Sequence, residues 1–178
     1  PTTFRNFDAI VEQVAQLKRE RGLADVKLVL ITNASMFHRP AVQRGLALLD
    51  ANHGEIWAKL EAGTDDYYQL IERTKIPFRQ VLDNITAAAR LRPLVIQSLF
   101  MRINGEPPPE AEIDAFIDRL NEIQGAGGQL KLIQIYTVAR QPAESFVAPL
   151  SRAEVDALAE RVSTGARIPV ERYYGPEA

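Results

Sequence analysis

Strand-like and helical patterns alternate along the whole of this 178-residue chain, and that alternation constrains its fold more than any other feature. Asn6 to Arg21 carries Phe7, Ile10, Val11, Val14 and Leu17 at helical spacing, with Gly22 as a stop. Lys27 to Asn33 reads as a buried strand, Pro40 to Asn52 as a helix opened by proline, and Glu55 to Glu61 as a second strand. Asp65 to Arg73 and Phe78 to Leu91 read as helices parted by Pro77. A third strand over Pro93 to Ile103, a helix over Pro108 to Gln124 and a fourth strand over Gln129 to Arg140 follow. Ser151 to Ser163 is a helix with a capping box, Ser151 answered by Glu154, and Pro169 to Tyr174 is a fifth strand. Strands joined through helices run parallel, because each crossover returns the chain to the same end of the sheet. The expected class is therefore α/β, about five parallel strands with flanking helices, in a single domain spanning 1–178.

Composition narrows the function classes. Apolar residues at 46% and charged residues at 25% are those of an ordinary globular protein. No run of 18 or more apolar residues offers a membrane span, and Pro1-Thr2-Thr3-Phe4-Arg5 lacks the plan of a signal peptide, so a cytoplasmic location is expected. A net charge of -2 gives no global attraction to a phosphate backbone. The chain has no cysteine, which excludes disulfides, thiolate metal sites and a thiol nucleophile within it. Two histidines, His38 and His53, are too few for a histidine-built metal site without carboxylate help.

Strand parity then picks out candidates. In the second strand Ile56, Ala58, Leu60 and Ala62 share the face expected to meet helices, leaving Trp57, Lys59 and Glu61 on the other. In the fourth, Ile133, Ile135 and Thr137 oppose Gln134, Tyr136 and Arg140. Asn33, Gln97, Ser98, Arg102 and Asn104 lie toward the carboxyl ends of the first and third strands, the end that holds ligands in parallel sheets. Lys59 and Glu61 are costly to desolvate unless paired or used. Lys59 and Glu61 are expected on the concave side, with Asn33 and Gln134 in reach of the same cavity. Trp57 reads as filler of the lumen, Tyr67-Tyr68 and Tyr173-Tyr174 as packing, His38 as a solvated loop residue, and Gly125 to Gly128 as a turn.

Several of these segments resemble radical S-adenosylmethionine (SAM) enzymes. Lys59-Leu60-Glu61-Ala62-Gly63-Thr64, followed by Tyr67 or Tyr68 and Arg73, is similar to the fourth-strand segment of that family. Leu30-Ile31-Thr32-Asn33-Ala34 resembles its third-strand Thr-Asn-Gly segment, and Pro1-Thr2 the tail of its Gly-Glu-Pro-Thr motif. Ile96 to Glu106 and Ile133 to Val138 resemble its fifth and sixth strands. The subgroup most similar is that of wyosine-type tRNA modification and glycyl-radical activating enzymes. The resemblance implies a partial (β/α) barrel and a parent enzyme in which a [4Fe-4S] cluster, fed by an electron donor, cleaves SAM reductively to a 5′-deoxyadenosyl radical. It implies that Asn33, Lys59, Glu61 and Gln97 contact SAM. Lys59 would pair with the methionyl carboxylate and Glu61 would accept from the ribose hydroxyls. Arg102, Asn104, Gln134, Tyr136 and Arg140 would line the substrate side. A tRNA base or a protein glycyl site would be the substrate.

The departure from the family pattern is equally plain. Its Cys-x3-Cys-x2-Cys loop is absent, so the chain is expected to be the carboxyl-terminal part of a longer protein, catalytically inert alone and binding no cluster. Two other readings stand beside this one: a cluster-free barrel lyase with Lys59 as Schiff base and Glu61 handling protons, and a non-catalytic small-molecule binding module. In a barrel lacking its first units, Leu28 to Ile31 would be an apolar, unpaired edge through which copies of the chain self-associate.

Overall fold

A computed structural model describes residues 1–175. In chain order its elements are α1 (Phe7–Glu20), β1 (Leu28–Thr32), α2 (Pro40–Ala51), β2 (Gly54–Lys59), α3 (Asp65–Glu72), α4 (Phe78–Leu91), β3 (Leu94–Leu99), β4 (Met101–Ile103), α5 (Glu110–Gly125), β5 (Leu130–Tyr136), β6 (Val147–Pro149), α6 (Arg152–Ala166) and β7 (Val170–Tyr173). Five strands form one parallel sheet in the order β1-β2-β3-β5-β7. This is the α/β class expected of the sequence. Because the order never reverses, right-handed crossovers carry every helix to the same face and leave the other face open, as in a barrel wall.

The division of residues between the two faces follows the pleat. Ile56, Ala58, Ile96, Ile133 and Ile135 are almost wholly buried in one core with Val42 and Leu46 of α2, Ile85 of α4, Phe116 and Leu120 of α5 and Val155 and Val162 of α6. The alternate residues form level rows across the open face. Lys59 is in register with Gln97, Gln97 with Gln134, and Gln134 with Glu171. One level toward the carboxyl ends come Leu99, Tyr136 and Tyr173; one level the other way come Ile31, Trp57, Val95 and Leu132.

The structure differs from the sequence reading mainly where strands end. The stretch expected as one strand, Pro93 to Ile103, divides at Phe100. Its amide still donates to Tyr136 O at 2.9 Å, but its ring turns under the sheet, edge-on to Phe116 with centroids 5.3 Å apart. The chain then leaves the barrel wall, and β4 pairs antiparallel with β6, inside the segment expected to be irregular. Asn104 and Gly105 both take positive φ, 53° and 84°, and close a two-residue turn between Ile103 and Glu106. The fourth strand stops at Tyr136 because Thr137 Oγ1 accepts the Leu150 amide at 2.8 Å and redirects the chain, so Arg140 lies in an exposed loop instead of on the strand. The second strand likewise ends at Lys59, and Glu61 stands just beyond it.

Candidate functional site

The carboxyl end of β2 gathers the ionisable groups of the open face. Glu61 has a side chain only 3% exposed, yet three polar groups reach it: Lys59 Nζ at 2.9 Å, the Tyr136 hydroxyl donating at 3.3 Å, and the carboxyl of Glu72 at the end of α3. Burial and the neighbouring Glu72 carboxyl together push Glu61 up to about 7, with Lys59 opposing the rise. Burial works against the Lys59 ammonium as well, but the attraction of Glu61 outweighs it and Lys59 is held above its ordinary value. Burial first, and then Glu61, raise the Tyr136 hydroxyl to about 12. At neutral pH the cluster is thus one firmly protonated ammonium beside a carboxyl poised to give or take a proton.

The loop after β2 is fixed from outside. Glu112 of α5 is buried and accepts from the backbone of Gly63 and, at 2.6 Å, from Thr64 Oγ1; Thr64 in turn caps α3 by accepting the Tyr67 amide. A Cβ on Gly63 would fall 2.1 Å from the Phe116 backbone nitrogen, so only glycine lets α5 approach this closely. Glu61 is accordingly held by a short turn pinned at both ends. The spacing of Lys59, Glu61 and Gly63 was legible in the sequence; Glu72 and Glu112 were not, since each arrives from a helix more than ten residues away.

Gln97 and Gln134 adjoin this cluster on the same face, Gln97 Nε2 donating to Gln134 Oε1 at 3.3 Å. Asn33 follows β1, one residue past the Thr32–Ala58 pair, and its Oδ1 accepts from Ser35 N at 3.3 Å and Ser35 Oγ at 2.8 Å. That turn is secured by Asn84 of α4, which donates to the Ala34 and Ser35 carbonyls. Thr32 Oγ1 lies 3.3 Å from Thr2 Oγ1, which sets the start of the chain against the carboxyl end of β1. Arg102 and Asn104 belong to the small antiparallel sheet. Arg102 bonds Glu154 of the α6 capping box and the Gly105 carbonyl, and Asn104 occupies the first position of the turn. His38 is exposed on the side of α4, its Nδ1 3.4 Å from Asn84 Nδ2. Trp57 does lie on the open face, half-buried, donating to Glu55 at 2.6 Å. Tyr173, expected to pack, is half-exposed and bonds Glu171 at 2.6 Å.

Two solved structures share this architecture. A domain of pyruvate-formate lyase-activating enzyme from Bacteroides vulgatus ATCC 8482 superposes with a TM-score of 0.62 at 12% identity, over 95% of this chain and 94% of that one. A radical SAM methyltransferase from Sphaerobacter thermophilus superposes with a TM-score of 0.56 at 13% identity. The chain shares the fold of these two proteins. The match to the methyltransferase covers 82% of this chain but 40% of that one. No protein-family model and no curated protein matches the chain.

The resemblance read in the sequence implies two cofactors, and the residues answer differently for each. A [4Fe-4S] cluster does not fit: the chain has no cysteine, and no three metal-ligating side chains converge among the described residues. For SAM the charges are complementary: its methionyl end carries a carboxylate and an ammonium, and the cluster offers the Lys59 ammonium and acceptor oxygens on Glu61. No described helix is long and apolar enough to cross a membrane.

Proposed function

We propose that this chain is the carboxyl-terminal, SAM-holding portion of a radical SAM enzyme, the single domain 1–178 being completed by a cysteine-bearing segment of a longer parent. The observation that carries the reading is the buried Lys59-Glu61-Tyr136 cluster at the carboxyl end of a curved parallel sheet with this fold. Lys59 pairs with the methionyl carboxylate, Glu61 accepts from the ribose hydroxyls, and Gln97 and Asn33 flank the same ligand. In the parent, SAM supplies a 5′-deoxyadenosyl radical. The residues of this chain bind and orient it, and Glu61 holds a proton beside it. Gln134 and Tyr136 line the substrate side, with Arg140, Arg102 and Asn104 at its margin. The substrate is a tRNA base or a protein glycyl site, and the electron donor acts on the parent.

Lys59→Ala tests the reading by calorimetry with SAM. Loss of a charge-assisted contact weakens binding by about 1.5–3 kcal/mol. A Schiff-base lyase would instead keep its SAM behaviour unchanged and yield a borohydride-trapped adduct on Lys59 by mass spectrometry. The raised Lys59 favours ion pairing, because a protonated amine is not a nucleophile. Unaltered SAM affinity in Lys59→Ala would defeat the proposal.

A further inference from the structure

The far side of the open face carries a carboxylate that no cation among the described residues neutralises. The charged side chains on the five-stranded sheet are Glu55, Lys59, Lys131, Glu171 and Arg172. Glu55 meets Lys27 and Lys131, Lys59 meets Glu61, and Arg172 meets Asp156 and Glu160 of α6. Glu171 has no cationic partner among the described residues. Its Oε2 accepts from the Tyr173 hydroxyl at 2.6 Å and from Gln134 Nε2 at 3.4 Å. Lys59 is three strands away, roughly 14 Å at ordinary strand spacing, and an exposed charge at that distance is largely screened.

The hydrogen-bond inventory of the row then specifies what a ligand must bring. An ionised carboxylate accepts only, so Gln134 must turn its amide nitrogen toward Glu171. Both hydrogens of that nitrogen are committed, to Glu171 and to the Tyr173 oxygen at 3.4 Å, and Gln134 Oε1 receives Gln97. The Tyr173 hydrogen is committed to Glu171. What stays open around Glu171 is acceptor capacity: its own Oε1 and the remaining lone pair on Tyr173. Gln134 is 4% exposed and cannot swing away to offer a donor. We propose that Glu171, held by Gln134 and Tyr173, is a subsite for a cationic, hydrogen-bond-donating group of the substrate, a protonated amine or guanidinium. The subsite rests on the reading that the open face holds SAM at its Lys59 end and substrate beside it.

Methylguanidinium and its neutral counterpart N-methylurea are the probes, titrated into the isotope-labelled 178-residue chain and followed by amide NMR. Methylguanidinium is expected to move the Gln134, Glu171 and Tyr173 resonances together, and N-methylurea to leave them in place. Glu171→Gln keeps the shape and the hydrogen bonds while removing the charge, and weakens methylguanidinium about fivefold. Equal response to both probes, or undiminished methylguanidinium binding by a folded Glu171→Gln chain, overturns the proposal. A parallel titration with S-adenosylhomocysteine, read at Lys59 and Gln97, tests the cofactor end separately. Silence there, with the methylguanidinium response intact, leaves the cation subsite standing and removes the SAM assignment instead.

Discussion

At the scale of the residue, Glu61 is where structure and chemistry meet most directly. Its carboxyl is neutral at a higher pH in the folded chain than in the unfolded one, about 7 against an ordinary value near 4.5. A group raised in this way adds stability that is fully present below the unfolded value and is lost as pH rises through the folded one. The thermal midpoint should therefore fall as pH is taken from about 5 to about 8. Glu61→Gln, which fixes the neutral form, should flatten that fall while leaving stability at pH 5 nearly unchanged. Calorimetric scans across this window decide it. An identical pH slope in wild type and Glu61→Gln would show that Glu61 is not what titrates. The sequence made Lys59 and Glu61 conspicuous because two charges on an apolar strand demand a use. It was silent on the rise of Glu61, because Glu72 enters from the end of α3.

At the scale of the element, the sheet is tied at its other end by Glu55. This carboxylate, 9% exposed, bonds Lys27 ahead of β1 at 3.0 Å, Lys131 of β5, and Trp57 of its own strand. Burial opposes its charge, but Lys131, Trp57 and Lys27 together hold it down at about 2. The sign is opposite to that of Glu61: this contribution is present above about 4.5 and disappears as pH falls toward 2. Glu55→Gln should cost about 1–2 kcal/mol at pH 6, modest for a clamp because both lysines stay partly solvated, and cost progressively less on acidification. Denaturant titrations at pH 6 and pH 3 would measure this, and an equal loss at both would refute the clamp. Elements of this kind were readable wherever periodicity ran its full length. The helices from Pro40, Phe78 and Ser151 begin within one residue of expectation, since Pro40, Pro77 and the capping box are local signals. The division of the third strand was not readable by periodicity, because Leu99, Met101 and Ile103 continue the alternation while Phe100 and the Asn104-Gly105 turn carry the chain out of the wall. Nor could parity show that Arg140 falls off the fourth strand, since the bond from Leu150 to Thr137 that ends it spans thirteen residues.

At the scale of the whole molecule, the sheet has an open side at β1. Among the described residues β1 pairs only with β2, and within Leu28–Thr32 there is no proline and no charge to discourage another strand. Val29 and Ile31 face the open side, 43% and 47% exposed, and Val14, Leu17 and Val26 are also about half-exposed nearby in the sequence. Between α1 and β1 runs a cleft of about 270 Å³ lined by Ile10, Val14, Leu28, Val29 and Leu30. The first helix explains this surface. Phe7, Val11 and Ala15 pack on α2, and no described residue buries Val14 and Leu17 of the same apolar stripe. A second copy related by a two-fold axis would pair β1 antiparallel to β1 and bring these apolar rims together, removing both exposed edges at once. The isolated chain is therefore expected to self-associate, its sedimentation coefficient rising with concentration. Ile31→Lys should restore the monomer while changing stability by less than about 0.5 kcal/mol, because the side chain is half-exposed and touches the core little. A wild-type chain that stays monomeric at high concentration, with β1 amides protected from exchange, would mean that the molecule covers this edge itself.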